Sequence, residues 1–467
     1  MTISRRTMLK QTGVLSAGFL GLHQLVGRLE ASPVQRSAVA FGFGALRDDP
    51  LGTLDLPDGF SYHVFSKFGE RMDDGLYVPA LHDGMGAFPG PNGTTILVRN
   101  HEVGAAKPRY GAFGWTNELM DRIETDMMHD AGFGRTPSLG GTTTLVYDTT
   151  QRTLRSHCLS LAGTSTNCAG GATPWGTWIT CEETESRADE RREVDHGYCF
   201  EVPATDEIRL HRPVPIKAMG RFKHEAVAVD PRTNIIYLTE DQHEGLLYRF
   251  IPTTPGRLLD GGRLQVLMVI GQPSCDTRNW EESQPRVPVG RAIAVSWMDI
   301  DDIDAPNSDL RFRGFANGAA RFARGEGIWF GNGTLYVACT NGGAAKRGQI
   351  FRYTPSPHEG TAEEGASPGE LTLFVESQRD DLLRNADNLT LAPWGDLITC
   401  EDSAGRDRVI GITPTGQQYL IASNRLNNSE MAGCVFSPDG STLFVNVQEP
   451  GYTVAITGPW SSVKTDA

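Results

Sequence analysis

The sequence predicts an all-β protein, a six-bladed β-propeller with inserted loops and short helices. The 53 glycines and 27 prolines favour many turns over long helices. A unit of tight turn, short alternating strand and terminal polar residues recurs six times, and two copies, Thr173–Glu183 and Ala392–Asp402, are nearly the same. Antiparallel sheets arranged around a channel protect their edges and leave one face free for chemistry. A β-sandwich pair or a barrel built from similar hairpins is the alternative.

The first forty residues resemble a twin-arginine export signal. Ser4–Lys10 carries two adjacent arginines, with Met8 where that pattern usually has phenylalanine. A glycine-interrupted apolar run follows, too short to span a bilayer, and Ala38–Ala40 offers a small-residue cleavage site. We therefore expect a signal peptide over 1–40, recognised by the twin-arginine machinery, and a single catalytic propeller domain over 41–467. The mature chain is expected in the periplasm or outside the cell.

Charge and cysteine content narrow the class of protein. The formal net charge of −14 disfavours nucleic acid as a partner and suits a protein that collects hard cations on carboxylate oxygens. No stretch is long and apolar enough for a transmembrane helix, so we expect no integral membrane protein. The eight cysteines include no CxxC pair, and a chain that folds before export needs few or no disulfides. We expect a monomer.

Along the chain, the predicted strands come in order and most end in polar residues. The first is Phe60–Phe65, and the first blade-like strand, Thr95–Asn100, leads into His101 and Glu102. Residues 103–140 break the pattern, so they are predicted to be an insertion over one face. The insertion is predicted to carry a short helix at 117–123, and Gly141–Asp148 is a further strand. The remaining units have strands at Ile235–Thr239, Thr334–Cys339 and Thr442–Val447.

Polar groups that follow strands or lie in glycine-rich loops form the candidate site. Gathered at one channel mouth, so many acids would repel one another unless multivalent cations lay between them. Carboxylates alone suit calcium, whereas a thiolate among them indicates a transition metal, iron or zinc. Few histidines lie near the strand ends, which argues against a histidine-rich zinc site. The set is Cys168, Glu182, Glu183, Glu225, Glu240, Asp241, Glu326, Asp387, Glu401 and Asp402.

Five stretches of the chain resemble the signature sequences of the PhoX-type alkaline phosphatases. They are Asn167–Gly171, Thr173–Trp178, Thr180–Glu183, Lys223–Glu225 and Arg324–Gly327, and their order matches, as does the twin-arginine leader. The resemblance implies a six-bladed propeller with two ferric ions, about three calcium ions and an oxo group that bridges metals. It also implies hydrolysis of phosphate monoesters, mostly outside the cytoplasm.

The same resemblance implies roles for individual residues. Cys168 is expected to be the thiolate ligand of one iron, and Glu225 and Glu326 further iron or bridging ligands. Glu183 is expected to be a ligand shared with calcium. Arg324 is expected to hold the substrate phosphate, because a guanidinium fork matches two phosphoryl oxygens. Calcium ligation is implied for Glu182, Glu240, Asp387 and Glu401.

The resulting hypothesis is an exported phosphomonoesterase that uses an iron and calcium cluster for metal-assisted phosphoryl transfer. Catalysis is then assigned to Arg324, Cys168, Glu225 and Glu326. No serine or threonine stands out as a covalent nucleophile. Two alternatives stay open: a calcium-dependent propeller lactonase or esterase, which needs one central calcium and no thiolate, and a non-catalytic binding propeller that metals stabilise. The chain is short for a full-length member of the family, which leaves the substrate range open.

Overall fold

Short strands separated by turns make up most of the chain. The computed structural model describes residues 41–104, 107–281 and 287–464, so the predicted signal peptide lies outside the described residues. Within these ranges the one α-helix is α1 (Leu310–Ala316). The strands are β1 (Leu46–Arg47), β2 (Leu54–Pro57), β3 (Ser61–Lys67), β4 (His82–Pro89), β5 (Thr94–His101), β6 (Gly140–Asp148), β7 (Thr153–Thr164), β8 (Asn167–Ala172), β9 (Thr177–Glu182), β10 (Cys199–Pro203), β11 (His224–Val229), β12 (Ile236–Glu240), β13 (Gly245–Pro252), β14 (Gly262–Val269), β15 (Ala292–Asp299), β16 (Arg321–Phe322), β17 (Gly325–Gly331), β18 (Thr334–Cys339), β19 (Gln349–Thr354), β20 (Gly369–Glu376), β21 (Ala386–Leu391), β22 (Leu397–Glu401), β23 (Arg408–Ile412), β24 (Gln418–Asn424), β25 (Met431–Phe436), β26 (Thr442–Val447) and β27 (Tyr452–Thr457).

The segment between β5 and β6 is the predicted insertion. Its described part forms no named strand, and the predicted helix at 117–123 is reduced to a single 3-10 turn. Asn117, at the start of that predicted helix, has a left-handed φ of 61°, which a right-handed helix does not accommodate. Phe113, Met128 and Leu139 of the insertion are buried in one apolar cluster with Val78 and with Leu159 of β7. The 3-10 helices in the described residues are Pro91–Gly93, Pro108–Tyr110, Met120–Arg122, Thr125–Met127, Gly132–Gly134, Lys217–Met219, Leu258–Asp260, Glu364–Ala366 and Trp460–Ser462.

Hydrogen bonding groups the strands into five sheets, and every pairing between named strands is antiparallel. Two sheets have four strands (β4-β5-β6-β7 and β25-β26-β27-β3), one has three (β10-β9-β8) and one has six (β1-β2-β24-β23-β22-β21). The fifth has ten strands, because β15 pairs with both β14 and β20 and so joins the set β11–β14 to the set β17–β20. The all-β, propeller-like fold is confirmed, but the sheets are not six separate blades.

The first strands of the sets pack against one another in a closed ring. The order is β4, β8, β11, β17, β21 and β25, and β25 packs back against β4. Glycine makes this approach feasible: a Cβ on Gly171 would lie 2.0 Å from the carbonyl oxygen of Val227 on the next first strand. The six predicted turn-and-strand units are the second strands β5, β9, β12, β18, β22 and β26, so the repeat in the sequence corresponds to a repeat in the fold.

The two ends of the described chain close the ring together. The early strand β3 pairs with β27, the last strand, so that Tyr62 lies opposite Ile456 and Val64 opposite Val454. Apolar side chains fill the spaces between neighbouring sheets, and Tyr419 and Trp460 belong to the cluster next to this closure. Among the described residues, no helix has the length and apolar character needed to cross a bilayer.

Candidate active site and metal centre

Every first strand of the ring carries a one-residue β-bulge at the same place. In β11, for example, His224 pairs with Glu240 and Val227 pairs with Leu238, so three steps on β11 match two on β12. A bulge of this kind re-aims the side chains beside it. Five of the six bulges begin with a potential ligand in the second position of the strand: Asp83 in β4, Cys168 in β8, Glu225 in β11, Glu326 in β17 and Asp387 in β21.

These residues meet in ligand groups whose donor atoms all lie within 4.8 Å of one another. One group consists of Cys168, Glu183 and Glu225, and another of Glu225, Glu326 and Asp387. The two groups share Glu225, so they form one continuous centre. The structure therefore brings together the thiol and four of the predicted carboxylates, which lie far apart in the sequence. This is a donor set that can hold more than one cation.

The centre is buried, and its acids repel one another. Glu225 is 3% exposed and Glu326 is 6% exposed. Burial, followed by the neighbouring carboxylates, raises the pKa of both groups well above the usual range. Burial and then Glu225 raise the pKa of the Cys168 thiol in the same way. A bound multivalent cation reverses this effect, because it favours the charged forms of carboxylate and thiol.

A third ligand group consists of Asp83, Glu102 and Glu430. Burial is the main cause that raises the pKa of Glu102 to about 7. The side-chain amide of Gln448 donates from Nε2 to Asp83 (3.2 Å), to Glu102 (2.8 Å) and to Glu430. This group contains only oxygen donors, which is the chemistry of a calcium site. The sequence analysis did not include these three acids among the metal ligands.

Two basic side chains lie at the edge of the centre. Arg324 donates from Nε and Nη2 to the two carboxylate oxygens of Asp241 at 2.7 and 2.8 Å, and its Nη2 lies 2.9 Å from Glu326. Lys223 Nζ lies 3.4 Å from Glu183 Oε1. Arg324 has a left-handed φ of 50°, a strained conformation for a residue with a Cβ, and such strain is concentrated at functional sites.

Glu182 does not join the centre but lies in a separate candidate ligand group with His129 and His196, whose donor atoms are within 4.8 Å of one another. Its Oε1 lies 2.6 Å from His196 Nδ1, and the backbone N–H groups of Gly197 and Tyr198 donate to its Oε2. The other ring nitrogen of His196 lies 3.1 Å from Asp130 of the insertion. Burial lowers the pKa of His196, but Glu182 and Asp130 outweigh burial and raise it to about 9. Glu182 thus forms a buried ion pair with an imidazolium.

Glu240 and Glu401 are also placed away from the centre. Glu240 accepts hydrogen bonds from Tyr248 Oη (2.8 Å) and from the backbone of Leu246, both on β13. Glu401 accepts two hydrogen bonds of 2.7 Å from Arg408 on β23. The structure therefore gives these two predicted calcium ligands, like Glu182, partners in the third strand of their own sheet or beside it.

The alternation of side chains along a strand explains which acid of each pair meets the centre. Successive residues point to opposite sides, so the first acid of a pair contacts its own sheet and the second reaches the channel. Glu183, which belongs to the centre, and Asp241, which holds Arg324, are both second acids. Asp402 is also a second acid, and it is the largest cause after burial that raises the pKa of Asp387. The missed residue Asp83 occupies the same second position of its strand as Cys168. That position was a readable signal in the sequence.

The pair Glu182 and Glu183 provides a direct test of this alternation. We expect Glu182→Gln to lower the free energy of unfolding by about 3 kcal/mol, because it breaks a buried ion pair, while the protein keeps its metal content. Glu183→Gln is expected to lower the metal content with a smaller effect on stability. Urea unfolding and elemental analysis measure the two effects, and metal loss in a stable Glu182→Gln protein would contradict the assignment.

The family model described as alkaline phosphatase PhoX matches residues 41–451. PhoX of Pseudomonas fluorescens, solved in complex with vanadate, a transition state analogue, is similar with a TM-score of 0.65 and 19% identity over 87% of this chain and 96% of that chain. A gluconolactonase of Xanthomonas campestris, XC5397, has a TM-score of 0.41 and 11% identity over 85% of this chain and 98% of that chain. No curated protein matches the sequence.

The fold and the site define a propeller-like protein with a buried centre of thiol and carboxylate ligands next to an arginine. Since the family model covers residues 41–451, the chain belongs to the alkaline phosphatase PhoX family. It is therefore a phosphomonoesterase, a hydrolase of phosphate esters, of a metal-dependent family, and it contains groups of side chains that could hold metal ions.

Proposed function

We propose that this phosphomonoesterase binds its metal ions in the groups that share Glu225 and holds the substrate phosphate with Arg324. The observation that carries the proposal is the shared position of Glu225, which belongs to two groups of three donors at once. Arg324 contacts Glu326 at the edge of the second group, so a phosphate bound by its guanidinium lies beside the cations.

The donors support iron in one part of the centre and calcium in another. Cys168 is the one thiol in the three acidic groups, and a thiolate with two carboxylates favours a ferric ion over calcium. Asp83, Glu102 and Glu430 supply oxygen alone and favour calcium. The inventory that we propose for the whole centre is two ferric ions and about three calcium ions, as the resemblance implies.

Six blades are also part of the proposal. The closed ring of six first strands supports this reading, since each first strand is followed by its own second strand and β15 only adds a link between two sets. The twin-arginine leader supports export to the periplasm or beyond of a single catalytic domain over 41–467.

Cations held by Cys168, Glu183, Glu225, Glu326 and Asp387 would supply neutralisation of the phosphate charge and a deprotonated oxygen nucleophile. The protein's own part is binding and orientation. Asp241 fixes the plane of the Arg324 guanidinium through hydrogen bonds from Nε and Nη2, so Nη1, the nitrogen left for the phosphate, is held in place before the substrate arrives. Arg324 then stabilises charge on the equatorial oxygens of the phosphoryl group. Ser165 and Thr166 lie within hydrogen-bond distance of each other in the turn before Cys168, which fits a role in the turn.

Metal removal tests the proposed function. We expect a calcium-selective chelator to lower the rate of p-nitrophenyl phosphate hydrolysis to less than about a tenth, because the loss of a cation removes several kcal/mol of transition-state stabilisation. Added calcium is expected to restore the rate, while elemental analysis shows that iron stays bound. Full activity in protein that contains neither metal would contradict the proposal. A lactonase that works with calcium alone is disfavoured because Cys168 lies inside the centre.

A further inference from the structure

Each of the two groups that share Glu225 has one basic side chain at its outer edge. Arg324 Nη2 lies 2.9 Å from Glu326 in one group, and Lys223 Nζ lies 3.4 Å from Glu183 in the other. The side chains of Arg324 and Lys223 are 31% and 36% exposed, whereas the side chains of Glu326 and Glu183 are 8% and 16% exposed. Arg324 and Lys223 are therefore closer to solvent than the acids that they contact.

Asp241 contacts both Lys223 and Arg324. The Asp241 carboxylate holds the Arg324 guanidinium, and the Asp241 N–H donates to the carbonyl oxygen of Lys223 at 3.2 Å. Lys223 also comes directly before β11, two residues ahead of Glu225. Among the described residues, Glu183 is the one carboxylate within 4 Å of Lys223 Nζ. A ligand that spans both groups therefore lies close to both Lys223 and Arg324.

The basic side chains of Arg324 and Lys223 suit different oxygens of a phosphate ester. Nε and Nη2 of Arg324 are engaged with Asp241 and Glu326, so its Nη1 offers two N–H groups to the equatorial oxygens, whereas the lysine ammonium is a compact point charge that suits a single oxygen. Given the phosphomonoesterase activity, on which this inference rests, we propose that Lys223 is a further catalytic residue that binds the ester oxygen. There it stabilises the negative charge that develops as the leaving group departs.

The atoms and electrons of the step balance without a further reactant. A water-derived oxygen forms a bond to phosphorus, and the bond between phosphorus and the ester oxygen breaks with its electron pair on that oxygen. The water's proton ends on the leaving alcohol, and Lys223 stays an ammonium throughout. Its contribution is a charge held in place where charge develops, which is worth more in the transition state than in the ground state.

The leaving group provides the test. A p-nitrophenolate spreads its negative charge over the ring and the nitro group and needs little help, whereas an alkoxide concentrates the charge on one oxygen. We expect Lys223→Met to lower kcat/KM for glycerol phosphate about tenfold more than kcat/KM for p-nitrophenyl phosphate, a differential effect on the transition state. Lys223→Arg, which keeps the charge, is expected to shift the same ratio by less.

The ratio of the two kcat/KM values, taken on one preparation, does not depend on how much of the protein carries its metals. Equal loss for both substrates, or no loss, would overturn the proposal, since a residue that only binds phosphate or only shapes the site affects both esters alike. Wild-type protein that hydrolyses neither ester would instead contradict the phosphatase activity itself. Lys346→Met is the matched control: Lys346 is an exposed lysine whose Nζ lies 4.9 Å from the centre of the Trp280 ring, and the ratio is expected to stay unchanged.

Discussion

Replacing Cys168 with alanine is expected to lower kcat for p-nitrophenyl phosphate by about a thousandfold, because it removes the one thiolate donor of the centre and with it a cation worth several kcal/mol. In the structure the Cys168 sulfur donates to the carbonyl oxygens of His224 (3.4 Å) and Glu225 (3.6 Å), and both of these acceptors are neutral backbone groups. The effect is measured as kcat beside iron content. Unchanged turnover would reject the assignment of the thiolate to iron.

Two further variants test whether the loss of activity comes from the missing thiolate or from the missing side-chain volume. Cys168→Ser keeps the size of the side chain but replaces the soft sulfur with a neutral oxygen, so it is expected to lose iron as Cys168→Ala does. Cys158→Ala removes a buried thiol from β7 that belongs to none of the ligand groups, and it is expected to keep both metal and activity. Thermal unfolding of all three variants checks that the fold survives.

The second large effect is expected at Arg324. Arg324→Met is expected to lower kcat/KM by a factor of about 10²–10³, as the removal of one oriented donor to developing charge does in other enzymes. Arg324→Lys keeps the charge but loses the fork, so it is expected to recover only part of the loss. The same variants are expected to bind inorganic phosphate more weakly, and the inhibition constant of phosphate measures this directly.

A control for Arg324 exists on the neighbouring strand. Arg321 lies in β16 and pairs with Asp276 at 2.7 Å, so it is a partly buried arginine with a carboxylate partner outside the ligand groups. Arg321→Lys is expected to leave kcat/KM within about twofold, because Arg321 and its partner Asp276 lie outside the ligand groups and the change keeps the charge. A loss of less than threefold in Arg324→Met would show that another group holds the phosphate.

The fold class and about half of the site residues could be predicted from the sequence, because the patterns that indicate them are local. A turn followed by an alternating strand is a pattern of about ten residues, and its six copies became the second strands of the structure. Cys168, Glu225 and Glu326 were found because glycines or short motifs surround them. The merging of two sets through β15 could not be predicted, since it depends on pairing with β20, which is distant in the sequence.

The choice between adjacent acids is what sequence reasoning missed. Glu182 and Glu183 look alike in the sequence, but only one can reach the channel when the strand is fixed in register, and the register depends on the bulge in β8. His196 and Arg408, the partners that occupy the first acids Glu182 and Glu401, carry no signal that links them to those acids. Glu430 was missed because it precedes β25 without a motif.

The pairing of β3 with β27 sets an order of events during biosynthesis. The ring cannot close until the last strand has left the ribosome, since its partner β3 is made first and waits for nearly the whole chain. The group of Asp83, Glu102 and Glu430 also joins an early and a late segment of the chain. A nascent chain that ends before Glu430 therefore lacks one of the three donors and cannot complete this group.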